Sequence, residues 1–437
     1  MKKNKETALH VKYLILGGGI TGLSTAYHLE KAHQTDYLVV EKNNFLGGLC
    51  ASEHIQGFTF DFAGHLLHLH HPYTKNLVRG LLKDNIQKIQ RQAFINVSGR
   101  NIPFPFQANL WALPTDVRQE CRDGALQAAQ ILHRQPANFE QWCLQAFGAG
   151  IYKHFLRPYN RKLWQTPLTQ LTWDWCGNFV PTPSIKQIQH SAQKPPKKSL
   201  GYNASFYYPK QGGCEALIEA LAAHVPNIWT RAAVQKIDLR RRCARINGRQ
   251  ISFEYVINTL PLKNFISLCD AVPLGVQKAA RGLKHTTVHV FNFAINRKVK
   301  PFHWIYFPQE DIPFYRVGMQ SSFSKQNAPS GCSSFYAETA QPITHFKQAQ
   351  KAILNKLLQK GIIKRQDKIL VSFWRTLPVA YAIYNKPRAR AVNHILRWLK
   401  QLHCASAGRY GLWEYSFMER SLLQGREIAK QCKDHLL

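Results

Sequence analysis

The sequence predicts an α/β fold: a parallel sheet layered with helices, interrupted by a mainly helical lobe and by a lobe built on a mixed sheet. Three observations predict it. A short apolar run that ends in glycines, Tyr13-Leu14-Ile15-Leu16, reads as a buried parallel strand. Ile20, Leu23 and Tyr27 then recur at helical spacing, which predicts a helix over 21–31. A second apolar run, Tyr37-Leu38-Val39-Val40, ends at Glu41, so strand, helix and strand follow one another as in a βαβ unit.

Length and composition set the bounds. The chain has 437 residues, too many for one simple core, so several lobes are expected. Lys and Arg number 58 against 25 Asp and Glu, a formal charge of +33. Such a surface attracts anions (nucleotide sugars, nucleic acid or anionic lipid headgroups), or it reflects a dispersed compositional bias. Its densest points, Pro195-Pro196-Lys197-Lys198 and Arg240-Arg241-Arg242, belong to no nucleic-acid-binding motif, so no specific nucleic acid is expected. Ten cysteines without a C-x-x-C pair point to reduced thiols and a cytoplasmic setting. Met1–Glu6 is basic but leads into no apolar segment, and no stretch reaches the roughly 18 apolar residues of a membrane span. Contact with the inner face of an anionic membrane stays open, as does the oligomeric state.

Farther along, residues 72–193 read as mostly helical, broken at Pro114, Pro158 and Pro167, and 181–199 reads as a loop. Gln211-Gly212-Gly213 opens a helix through Leu217 and Leu221. Strands follow at 234–239, 243–246 and 250–253, the last two joined by the hairpin pair Asn247-Gly248, and another at 255–259. A sheet with one helix, 346–360, is expected over 283–375, and a final helix over 416–435. The resulting division is 9–71, 201–262 and 396–437 for a three-part dinucleotide-binding unit, 72–200 for a helical lobe and 263–395 for a sheet-based lobe.

Gly17-Gly18-Gly19-Ile20-Thr21-Gly22 fits G-x-G-x-x-G between the first strand and its helix. Gly17 permits the tight turn, Gly19 lets backbone approach a pyrophosphate, and Gly22 lets the helix pack on the sheet. The helix N-terminus offers free N–H groups to that pyrophosphate. Glu41 sits where an acid binds ribose hydroxyls, and its charge disfavours a 2′-phosphate. Phe45-Leu46-Gly47-Gly48-Leu49 follows shortly after. That second glycine pair resembles the two-dinucleotide-binding-domain flavoproteins, which makes FAD the expected cofactor and the fold an FAD-binding Rossmann type.

The resemblance extends through Gly57-Phe58, Asp61-Phe62-Ala63-Gly64-His65, Arg91, Ile102-Pro103-Phe104-Pro105-Phe106-Gln107, Leu113-Pro114 and Arg157-Pro158-Tyr159-Asn160 with Trp164. It returns at Gly408-Arg409-Tyr410-Gly411 and Met418-Glu419. Over nearly the whole chain the sequence resembles the UDP-galactopyranose mutases, within the amine oxidase and protoporphyrinogen oxidase superfamily. The resemblance implies chemistry on a sugar nucleotide or related anion at N5 of a reduced flavin, with NAD(P)H a candidate reductant. It places Lys42, Gly48, Leu49, Gly64, His65, Val234, Gly408, Arg409, Met418, Glu419 and Ser421 at the flavin, beside the glycines, Ile20, Thr21 and Glu41. It places Arg91, Phe104, Phe106, Gln107, Asn160, Trp164, Arg316, Tyr381 and Tyr415 at the substrate, with His65, Arg316 and Tyr415 closest to the chemistry. Read from the residues alone, Pro103–Phe106 is a stiff aromatic wall that a core would equally use, and Asn160 and Trp164 share a helix face.

The sequence departs from the resembled pattern in four places, one of them Leu377-Pro378-Val379-Ala380-Tyr381, which is displaced from the expected tyrosine pattern so that Tyr381 or Tyr384 would substitute. Ala63 stands for a glycine. Trp175–Val180 lacks the second phosphate-clamping arginine, with Phe179 at its place, and Ser322-Phe323-Ser324 lacks an expected tyrosine. An oxidoreductase acting on an apolar or amine substrate is therefore the alternative, and a non-catalytic flavin-binding protein a third class. His68, His70 and His71 have no Cys or acid cluster nearby, so no metal is expected.

Overall fold

Strand Leu9–Leu16 lies between two parallel neighbours: Leu14 stands opposite Leu38 on one side and Val256 on the other. Leu14, Ile15 and Leu16 are fully buried, because helices cover the sheet and no alternation with polar residues survives. In this computed structural model, which describes residues 9–131, 135–196, 200–201 and 203–434, the first sheet has seven strands. From one edge they are Val234–Asp238, Cys243–Ile246, Arg249–Asn258, Leu9–Leu16, Tyr37–Val40 and Ile228–Trp229, with Cys404–Ser406 also paired to Arg249–Asn258. Helix Ile20–Lys31 crosses between the first two parallel strands and packs on the final helix, Met418–Lys433. Asn247 and Gly248 both take positive φ, 49° and 81°, as a two-residue hairpin turn requires. The separate strands read at 250–253 and 255–259 are one, Arg249–Asn258, running from the exposed hairpin into the core.

The second sheet also has seven strands, in the order Ile369–Ala382, His285–Ile295, Ser333–Thr339, Arg316–Met319, Trp304–Tyr306, Ala93–Val97 and Arg100–Pro103. Its last two strands, Ala93–Val97 and Arg100–Pro103, fall within the mostly helical stretch 72–193, where no strand was expected. Ala93–Val97 runs parallel to Trp304–Tyr306 and turns at Ser98 and Gly99, both at positive φ. Gln87–Gln90 pairs with Ser205–Tyr208, so that strand leaves the dinucleotide unit to which 201–262 had been assigned. Pro158 does not break the chain's helix: a π-type turn, Tyr152–Leu156, leads into Arg157–Trp164, and a proline is tolerated in the first turn of that segment. Within the expected loop 181–199, Ser184 and Gln187 form a capping box that starts helix Ile185–Ser191. Helix Arg388–Lys400 spans the expected boundary at 395. Met1–Glu6, the Lys197-Lys198 pair and His435 lie outside the described residues. The lobes are thus interleaved in sequence, and the two sheets face a shared cleft.

Candidate active site

The cleft has a volume of about 670 Å³, within the range of organic-ligand sites. Its first end is backbone. Gly17 has φ +104°, and a Cβ on Gly22 would collide with the Gly17 carbonyl oxygen, so helix and turn touch as the sequence required. A Cβ on Gly19 meets nothing nearer than Gly47 O, 4.0 Å away, which leaves the turn open toward the cleft. The second glycine pair lies on the first: Gly47 N–H donates to Gly18 O at 2.8 Å, and Gly48 (φ +58°) packs over Gly19. The Glu41 carboxylate accepts Gly18 N–H at 2.9 Å and both the backbone N–H and the side-chain amide of Asn43, at 2.9 and 2.7 Å. Ile20, Thr21, Lys42, Leu49 and Val234 complete this end.

Farther in, Gly64, His65, Gly408, Arg409, Met418 and Ser421 line the middle of the cleft. Gly408, at φ +84°, lies against Thr21, joining the last segment to the first helix. Asp61 anchors the floor. Its carboxylate accepts from Ser52 Oγ and Tyr208 OH at 2.7 Å and from Cys214 N–H at 2.9 Å, and Cys214 Sγ donates to His65 O at 3.0 Å. Burial pushes the His65 imidazole below its usual value, against the pull of Asp61, so the ring is held neutral. Buried polar atoms at the cleft wall without a partner among the described residues include His65 Nδ1, Arg409 Nε and Ser416 Oγ. An open glycine cradle at one end and unanswered polar atoms in the middle fit an elongated polar cofactor such as FAD.

Glu419 stands in the first turn of the last helix, as expected, but its side chain is used elsewhere. Its carboxylate points to the preceding loop, accepting His70 and His71 N–H at 2.7 and 2.8 Å and Thr74 Oγ1–H at 2.5 Å, rather than lining the cleft. The first turn of helix Met418–Lys433 is presented by Met418 and Ser421 instead.

The far end is made of side chains. Arg316 is gripped by Glu338 through two parallel contacts of 2.7 Å, Nε to Oε2 and Nη2 to Oε1. Burial opposes the Arg316 charge, but the Glu338 carboxylate beneath it keeps the guanidinium protonated. Arg375 also lines the cleft, but nearer the glycine end: it pairs with Glu53 and lies 4.2 Å over the Phe62 ring, which itself touches Phe45 of the second glycine segment. Arg409 donates to Ser416 O and Ala380 O, at 2.7 and 2.9 Å, and sits 5.1 Å from the rings of Tyr381 and Tyr415. Tyr159, Tyr306, Tyr336, Tyr381 and Tyr415 face the same space. Burial raises the pKa of Tyr159, Tyr336 and Tyr381, so these phenols keep their protons and can donate them in hydrogen bonds.

Six expected substrate residues are not in the lining. Arg91 is a brace: it donates to Asn203 Oδ1, Phe104 O (2.9 Å) and Leu200 O (3.1 Å) and covers the Phe104 ring at 4.8 Å. Phe104 packs on Tyr306 at 5.4 Å, and Phe106, fully buried, stacks on Phe155 at 5.3 Å. Gln107 is buried and donates to Pro181 O. The aromatic wall is therefore core. Asn160 and Trp164 do share a helix face, with Trp164 Nε1–H donating to Asn160 Oδ1 at 3.1 Å, but that face is buried behind the cleft. Tyr159 and Leu163, one position earlier on each turn, face the cleft instead. His68, His70 and His71 share no strand, and no group of three metal-binding residues occurs among the described residues.

The family model described as flavin containing amine oxidoreductase matches residues 20–432. The chain belongs to that family. Among solved structures it is similar to a reduced UDP-galactopyranose mutase, at 25% identity and TM-score 0.92, over 97% of this chain and 94% of that one. A putative protoporphyrinogen oxidase from Exiguobacterium sp. 255-15 shares the fold at 16% identity and TM-score 0.75, over 97% and 99% of the two chains. A phytoene desaturase from Cercospora nicotianae is 24% identical over 361 residues, which is 74% of this chain and 56% of that protein. The chain spans little more than half the length of the curated relatives it matches, 54% and 56%.

The amine oxidoreductases are flavin-dependent enzymes, and FAD is the cofactor that the glycine cradle of this chain is built to hold. No described helix is long and apolar enough to cross a membrane. Reading the sequence missed Tyr306, Tyr336 and Arg375. Tyr336 left a signal: its ring fills the space that side chains at Gly64 and Gly318 would need, so those glycines mark a large group pressed against the backbone. Phe179 lines the cleft where a second clamping cation was sought, its ring 4.2 Å from Tyr415 and 5.9 Å from Phe417.

Proposed function

We propose that the chain is an FAD-dependent enzyme of the mutase type, acting on a sugar nucleotide or a related glycosyl anion. The observation that carries the reading is the charge of the far end of the cleft. Arg316, aligned from behind by Glu338, stands there with protonated tyrosines, and Arg409 adjoins the Tyr381 and Tyr415 rings from the middle of the cleft, whereas Glu41, the one carboxylate among the described lining residues, stands at the glycine end. Similarity to the reduced mutase over 97% of the chain supports the same reading.

Reduced FAD would supply the nucleophilic centre N5, with NAD(P)H a candidate source of electrons. The chain's residues would bind and orient. Arg316, aligned by Glu338, keeps Nη1 for a phosphate oxygen. Tyr159, Tyr381 and Tyr415 would donate O–H to the same anion, and neutral His65 would accept or donate at the cofactor edge without adding charge. Arg409, braced from two carbonyls, offers Nε to the middle of the cleft. The test is to supply the dithionite-reduced protein with UDP-galactopyranose and look for its furanose form. Turnover only after reduction supports the reading. Failure with a panel of nucleotide sugars at full flavin loading would remove it.

One observation favours a net redox reaction instead: Phe179 and Phe417 put apolar surface beside Tyr415, and the Arg316 charge is already answered by Glu338. Anaerobic bleaching of oxidised flavin by an apolar or amine substrate would select that reading.

A further inference from the structure

Two stretches of the chain, 271–309 and 368–413, contain no Asp or Glu at all. Each supplies a surface helix, Leu274–Gly282 and Arg388–Lys400, and the two lie side by side on the first sheet's flank. Their apolar residues face inward: Val276 and Ala280 from the first, Val392, Ile395 and Leu399 from the second. Their outer faces are regular. Leu274, Lys278 and Arg281 fall at i, i+4 and i+7 of the first helix, and Arg390, His394 and Arg397 repeat that spacing on the second. All six are exposed. The helices are in register through Gly275, where a Cβ would stand 3.2 Å from His394 Nε2. That contact sets Leu274, 60% exposed, beside the middle of the cationic stripe. None of these cations has an acidic ion-pair partner among the described residues.

We propose that this face docks the protein on an anionic lipid bilayer, with the Lys278, Arg281, Arg390 and Arg397 heads at the phosphates and Leu274 entering the acyl boundary. The pattern is that of an interfacial surface, in which a bulky apolar tip is ringed by long basic side chains that keep their charges at headgroup level. A nucleic-acid backbone would offer the cations the same charge but gives Leu274 no apolar environment. A protein partner held by apolar burial would need a larger patch than this one side chain. None of these residues lines the cleft, so the surface is independent of the reaction.

The test is co-sedimentation of the full, FAD-loaded chain with vesicles of phosphatidylcholine, with and without phosphatidylserine. Binding is expected only with phosphatidylserine and should fall as salt is raised. Charge reversal in Lys278→Glu/Arg397→Glu should lower it by at least about tenfold, since two attractions become repulsions. Lys278→Gln/Arg397→Gln should give a smaller loss, and serves if the reversal disturbs folding. Leu274→Ser should weaken binding several-fold while leaving its salt dependence unchanged. Equal binding to neutral vesicles, full binding by the charge-reversed variant with unchanged flavin content, or preference for duplex DNA over the anionic vesicles would each overturn the proposal.

Discussion

The two ends of the cleft are built by different means. The glycine end is built mainly on backbone from one stretch, 17–48, closed by residues such as Val234, where a turn, a helix start and a second glycine pair fit by the absence of side chains. The far end is side chain, gathered from segments as distant as Tyr159, Arg316, Tyr381 and Tyr415 and held by second contacts such as Glu338. At the first end the packed glycines Gly17 and Gly22 leave no space for a side chain, while Gly19 is open only toward the cleft. The second tolerates changes in its lining but not in the groups that brace it.

That contrast can be broken by substitution. The largest effect is expected at Gly22→Ala, whose methyl group would strike the Gly17 carbonyl and lift the helix from the sheet. Loss of more than about 4 kcal/mol is expected, seen as failure to recover folded protein. Glu338→Gln should cost about 3–5 kcal/mol in urea unfolding, because Arg316 would be left buried without its counter-charge. A near-neutral result would mean that Arg316 reaches solvent.

Acid gives the next effect. Burial pushes the imidazoles of His68, which lines the far half of the cleft, and of His303 from the ordinary 6.5 to about 4. Above pH 6.5 both stay neutral in either state and nothing changes. Between pH 6.5 and about 4 the unfolded chain takes protons that the folded chain refuses, so stability should fall by roughly 3 kcal/mol per histidine and then level off. A His303→Gln variant should lose part of that slope, and an unchanged slope would contradict the assignment. The smallest effect on stability belongs to Gly19→Ala, which has room for its methyl group in the protein. Unfolding should shift by less than about 0.5 kcal/mol, while FAD affinity should drop at least about tenfold, because the methyl would occupy space reserved for the pyrophosphate.

The same contrast decides what could be read from the sequence. Gly17, Gly19, Gly22, Glu41 and the Gly47-Gly48 pair were legible because a local backbone demand leaves a local mark. Arg316, Tyr381 and Tyr415 were placed through resemblance, and they do meet in the cleft. Asn160 and Trp164 were read on the right helix but on its buried face, a turn of one residue from Tyr159 and Leu163. Glu338, the partner that aligns Arg316, lies on the adjacent strand of the second sheet, and only strand register brings it there. The aromatic run Phe104–Phe106 could serve core or pocket equally from composition, and Ala93–Val97 was masked by its helical surroundings until its pairing with Trp304–Tyr306.

Titration of FAD into the apoprotein, followed by flavin fluorescence, tests the account at its root. One FAD per chain should bind to the wild type and to the Phe179→Ala variant, and only weakly to Gly19→Ala of equal thermal stability. A folded wild-type chain that leaves FAD free in solution, or a Gly19→Ala chain that binds it as tightly as the wild type, would contradict the assignment of the cleft.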